Sequence, residues 1–76
     1  MNLNTAITLA SELAYDEDAN QVVGMIDGEW CVSEWEDEGR LNLMNGTRFV
    51  VKGDGPVMEG LNDEDRAMLY EAGFYA

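Results

Sequence analysis

Glu34, Glu36 and Glu38 recur at alternate positions, with Trp35 and Asp37 between them. On an extended strand alternate side chains point to one side, so three such carboxylates would stand roughly 6.8 Å apart. That interval is close to the separation of phosphates along a nucleic-acid strand, which a basic groove is built to receive. The chemistry expected of these residues is recognition of a positively charged surface, not bond making. Asp16, Glu17 and Asp18, and later Asp63, Glu64 and Asp65, offer further points for such an acidic track.

The sign of the charge supports this expectation more than its amount does. None of the first 39 residues is Lys, Arg or His, whereas ten are Asp or Glu. The rest of the chain sets six acids against Arg40, Arg48, Lys52 and Arg66, so the net charge of −12 divides into −10 and −2. Small domains need a net charge of only about 2–8 in magnitude to stay soluble. The excess costs stability through self-repulsion and favours a basic partner. It also argues against direct binding to nucleic acid or to anionic membranes.

Other chemistries find less support. There is no His, and Cys31 is the single cysteine, which excludes a disulfide framework and four-Cys zinc sites. Cys31 lies among acids with no base beside it, so an inert, partly buried thiol is expected. Asp16, Asp18, Asn20 and Asp27 stand at positions 1, 3, 5 and 12 of an EF-hand-like loop. Gln21 occupies the place where that loop needs Gly, and a strand follows where a helix should. With sixteen acids, some carboxylate pair always lies at a glycosidase-like separation, so that pattern carries no specificity. The chain is expected to be non-catalytic, with no cofactor and no metal. Trp30 is expected in the core. For Trp35, ringed by acids, two readings stand: a binding hot spot, or cover for the end of a sheet. Tyr70, Phe74 and Tyr75 are candidates for a homodimer contact.

The elements that must position these residues can be read from apolar spacing and turn residues. Seventy-six residues suit one domain, residues 1–76, with a small core. Leu3, Ala6, Ile7, Ala10, Leu13 and Ala14 make a helical stripe, capped by Asn2 or Asn4. Acids at the end of that helix would oppose its dipole, so Asp16–Asp18 are expected beyond it or in another role. Asp27-Gly28 predicts a type I′ hairpin joining Gln21–Ile26 to Glu29–Glu34. Its register pairs Met25 with Trp30 and Val23 with Val32 on a core face, leaving Ile26, Glu29, Cys31 and Ser33 on the other. Asn45-Gly46 predicts a second hairpin, from Leu41–Met44 to Thr47–Lys52. A turn at Gly53–Pro56 would then lead to a short edge strand at Val57-Met58. Asn62 predicts the cap of a last helix bearing Met68, Leu69 and Ala72, closed by Gly73 with Phe74 packed on Leu69. The expected fold is α+β, in the order α-β-β-β-β-α: a small antiparallel sheet of about four strands in two hairpins, with terminal helices.

In size, acidity and lack of catalytic residues the chain resembles small phage-encoded inhibitors of the anti-CRISPR, anti-restriction and DNA-mimic type, including uracil-DNA glycosylase inhibitors. The resemblance covers the character of the whole chain and involves no motif, so it assigns no residue. It implies a cytoplasmic protein of a host cell that blocks the DNA- or RNA-binding surface of a larger protein. The residues expected to do so are Asp16, Glu17, Asp18, Glu34, Trp35, Glu36, Asp37 and Glu38. The alternative is an assembly module driven by aromatic patches, with calcium binding third. The opening Met1–Ala10 has no basic region and is not expected to be a signal peptide.

Overall fold

The computed structural model describes residues 1–74. Its elements are α1 (Leu3–Glu17), β1 (Gln21–Ile26), β2 (Glu29–Glu34), α2 (Glu38–Leu41), β3 (Asn45–Lys52), β4 (Gly55–Pro56) and α3 (Asp63–Glu71). The four strands form one antiparallel sheet in the order β2-β1-β3-β4. The expected α+β class and element order are present.

Asn2 is the residue that caps α1, its Oδ1 accepting the Thr5 N–H at 2.8 Å. Asn4 instead ties α1 to the end of α3, its Nδ2 donating to the Ala72 carbonyl at 2.6 Å. The stripe Leu3, Ala6, Ile7 and Ala10 is buried against Val23, Phe49, Val51 and Leu69. Alanines let the helix axis approach the sheet, so bulk comes from Ile7 above and Phe49 below.

Asp16 and Glu17 belong to the last turn of α1, not to the loop beyond it. Asp18 closes the helix in the left-handed region, φ 51°, and the N–H groups of Asp18 and Ala19 both reach the Ala14 carbonyl. Three acids therefore sit at the negative end of the dipole, one of them in a backbone conformation that favours Gly. Asp18→Gly is expected to stabilise the fold by about 1 kcal/mol. The check is a higher urea midpoint at an unchanged m-value.

The Asp27-Gly28 turn forms as expected, with φ 52° and 79°, and sets Met25 opposite Trp30 and Val23 opposite Val32. Val23 is fully buried, and Trp30 stacks obliquely on Phe49 with ring centroids 5.9 Å apart. The second expected hairpin does not form. Leu41 ends α2, while Asn45 and Gly46 open β3, which pairs with β1 through Gln21↔Val51, Val22↔Val50 and Val23↔Phe49. Beside β1, both Phe49 and Val51 are fully buried. A local hairpin with Leu41–Met44 would place them beside a strand that includes the exposed Asn42 and Leu43. Gly46 keeps its positive φ, 74°, but uses it where the register shifts between Val23↔Phe49 and Met25↔Asn45. The closing hairpin turns at Gly53-Asp54, and the edge strand is Gly55–Pro56, two residues earlier than expected.

This pairing decides the path of the middle of the chain. β2 and β3 both flank β1 and both oppose it, so they run parallel and residues 35–44 must cross β1. Val23 faces α1, so Gly24 faces the other side, where Met44 is buried. A Cβ on Gly24 would lie 2.6 Å from Met44 Sδ. The sheet face away from α1 is thus covered in part, and Val22 and Ser33 are buried there.

α3 follows its sequence signals throughout. Asn62 Oδ1 accepts the Asp65 N–H at 2.8 Å. The Phe74 N–H returns to the Leu69 carbonyl at 2.8 Å and that of Gly73 to Tyr70 at 3.1 Å, a Schellman ending that lays Phe74 against the core.

Candidate functional site

β2 is an outer strand, so half of its main-chain groups lack a strand partner. A two-residue hairpin closed by Ile26↔Glu29 leaves the groups of Trp30, Val32 and Glu34 facing outward. The next residues fold back on this edge. Arg40 Nε donates to the Val32 carbonyl at 2.9 Å. The Glu34 carbonyl accepts the Asp37 N–H at 3.2 Å and the Ser33 hydroxyl at 3.0 Å. Asp37 in turn caps α2, its Oδ1 accepting the Arg40 N–H at 3.1 Å. These bonds blunt the edge against pairing with another strand.

They also end the strand at Glu34. Glu34, Glu36 and Glu38 consequently do not form the expected ladder: Glu36 lies in a turn and Glu38 opens α2. The structure instead gathers acids that are far apart in sequence. A groove of about 530 Å³ runs between α1 and the β2 edge. Leu9, Leu13 and Glu17, four residues apart on one helix face, make one wall. Val32 and Glu34 make the other, and Asp37 and Arg40 close it. Three acidic residues, from α1, β2 and the segment just before α2, thus line one apolar-walled groove with Arg40, whose Nε is held by a main-chain carbonyl. Gln21 also lines the groove. It is only 1% exposed, and its Nε2 has no hydrogen-bond partner.

The other expected site residues are placed differently. Asp16 lies around α1 from Glu17, on a second depression with Glu12, Tyr15 and Gly53. Asp18 is the exposed cap of α1. Glu36 and Glu38 are exposed outside the groove lining. Trp35 is 55% exposed, in the turn that follows β2. Asp63, Glu64 and Asp65 occupy the first turn of α3, where Asp65 accepts the Thr47 hydroxyl at 3.1 Å. The expected acids therefore do not all line one groove.

The remaining candidates resolve simply. The six residues of β1 separate Asp27 from Asp16 and Asp18 by about 20 Å of strand, so the calcium-loop ligands are dispersed. Among the described residues no group of three or more acidic, His or Cys side chains is placed to hold a metal ion. Cys31 is half-buried, with Sγ directed at the Glu29 carbonyl 3.6 Å away. Phe74, a candidate for a homodimer contact, packs on the core; Tyr75 lies outside the described residues. Among the described residues no helix is long and apolar enough to cross a membrane.

Comparison with protein-family models, curated proteins and solved structures found no match. Sequence placed Leu13 in the helical stripe and Gln21 at the start of a strand, but assigned neither of them, nor Leu9 or Arg40, to a site. Their signals were a Leu-Leu-Glu row at four-residue spacing, a polar residue opening an apolar strand, and the first cation after a long acidic stretch.

Proposed function

We propose that this chain is a stoichiometric, non-catalytic binding protein. It docks its acidic groove face on a basic, nucleic-acid-binding surface of a larger protein in the cytoplasm and inhibits that protein, in the manner of small phage-encoded inhibitors. The observation that carries this reading is the convergence of Glu17, Glu34 and Asp37 on one groove with apolar walls, beside an exposed Trp35. Unneutralised carboxylates raise the rate of encounter with a basic surface. A large aromatic beside them supplies apolar area that survives screening by salt.

The test is capture of partners from a cell lysate at near-physiological salt, eluted first with duplex DNA and then with high salt. Release of a nucleic-acid-binding protein by DNA supports competition for one groove. A partner retained through both elutions overturns the electrostatic reading and favours apolar assembly. With the captured partner in hand, replacing Glu34, Glu36 and Glu38 together by Gln is expected to slow association about tenfold at low salt. The melting temperature should not fall, because all three side chains are exposed. Unchanged association would remove this edge from the interface.

A further inference from the structure

The groove contains a group that the fold itself leaves unsatisfied. Gln21 opens β1 between Glu34 of β2 and Val51 of β3, on the sheet face covered by α1. Its side chain is 1% exposed, and Nε2 has neither solvent nor a protein partner. An apolar residue of this length would pack there without that penalty, because an unmet buried donor is destabilising. A partner from outside would remove that cost.

We propose, building on the docking reading above, that the groove receives a single arginine side chain of the partner protein. Glu17, Glu34 and Asp37 supply the negative charge, and Leu9, Leu13 and Val32 supply apolar walls for the aliphatic stem. The Gln21 amide meets the peptide at the base of the groove. Nε2 is sealed from solvent in the free chain, so entry of the arginine has to part the groove walls before the Gln21 N–H meets a main-chain carbonyl. Turned about its last torsion, which has a broad energy profile, the amide offers oxygen to a guanidinium N–H. An arginine with its flanking carbonyl satisfies either orientation.

Arginine suits this groove better than lysine for two reasons. Its five donors are spread in a plane and can reach several carboxylates at once. It is also more weakly hydrated, so entering a partly apolar groove costs it less. Metal cations are disfavoured by the dispersal of the carboxylates. Strand addition is disfavoured because Arg40, Ser33 and Asp37 already occupy the outward carbonyls of Val32 and Glu34. Arg40 does not fill the groove's need itself: its guanidinium donates to the Val32 carbonyl, and among the described residues that guanidinium makes no bond to Glu17, Glu34 or Asp37.

The probe is N-acetyl-arginine amide, titrated into the ¹⁵N-labelled full chain while the side-chain NH₂ resonances of Gln21 are followed. Saturable shifts of those resonances are expected. The lysine analogue should bind more weakly, and the neutral citrulline analogue about tenfold more weakly than arginine. Gln21→Leu is expected to melt at a higher temperature than the parent and yet lose the arginine response, read on the backbone amides of Glu34 and Asp37. A second variant, E17Q/E34Q/D37N, should lose the response while leaving the Gln21 burial signature intact. Equal shifts with citrulline, or an undiminished response in either variant, would overturn the proposal. The two readings fail separately. A partner released by DNA but bound equally well by Gln21→Leu and by E17Q/E34Q/D37N keeps the docking reading and overturns the groove. Saturable arginine binding without any DNA-competed partner does the opposite.

Discussion

Phe49→Ala is expected to leave much of the protein unfolded at physiological temperature. Phe49 is the largest fully buried side chain. It lies beneath α1, meets the Trp30 ring at 5.9 Å, and shares a core cluster with Ile7, Val23, Val51 and Leu69. Removing such a ring typically costs about 3–5 kcal/mol, part of it for the cavity left behind. Collapse is difficult here, because strands hydrogen-bonded on both sides of β1 and the Ala-lined face of α1 bound the site. At about 0.05–0.15 kcal/mol per residue, a chain of this length has only about 4–11 kcal/mol in total, and the −12 charge draws on that through self-repulsion. Urea unfolding measures the effect. A loss below about 1 kcal/mol would contradict the packing described, since it is less than the transfer of the ring alone.

The second large effect is expected at Gly24. Gly24→Val should cost about 2–3 kcal/mol through overpacking. A Cβ there would stand 2.6 Å from Met44 Sδ, 3.1 Å from Cγ and 3.3 Å from Cβ. Rotation of the methionine can move its sulfur away but not its own Cβ, so the crossing segment has to lift. That segment begins with Trp35 and carries Asp37 and Arg40, which close the groove. Reduced partner capture should therefore accompany the loss of stability. Adding Met44→Ala to Gly24→Val should recover part of the loss, giving a favourable coupling in a double-mutant cycle. Additive costs would mean that Met44 does not lie over Gly24.

Much of the local architecture was readable from short stretches of sequence. Asn2 and Asn62 cap helices because a side-chain oxygen within three residues meets a free N–H. Asp27-Gly28 turns the hairpin because two adjacent residues accept positive φ. Gly73 and Phe74 close α3 through bonds that span five residues or fewer. The acidic bias was equally plain, since charge needs no fold to be counted. At Asn45-Gly46 the same local logic misled. The glycine does take positive φ, but burial of Phe49 and Val51 beside β1 outweighs a local hairpin with Leu41–Met44. That choice depends on residues more than twenty positions apart, which no turn signal encodes.

The site depended on the same long-range choice. Once β3 takes the far side of β1, residues 35–44 must cross the sheet, and their return along β2 ends the strand at Glu34. This bend dissolves the alternating ladder of Glu34, Glu36 and Glu38 and turns Asp37 toward α1. Rotation of α1 on the sheet then separates neighbours in sequence, sending Glu17 into the groove and Asp16 away from it. The composition of the chain specifies that acids dominate its surface, because sign and number of charges are additive. Which acids line one groove, and that Gln21 lines it with them, follows only from how helix, edge strand and crossing segment pack around one small core.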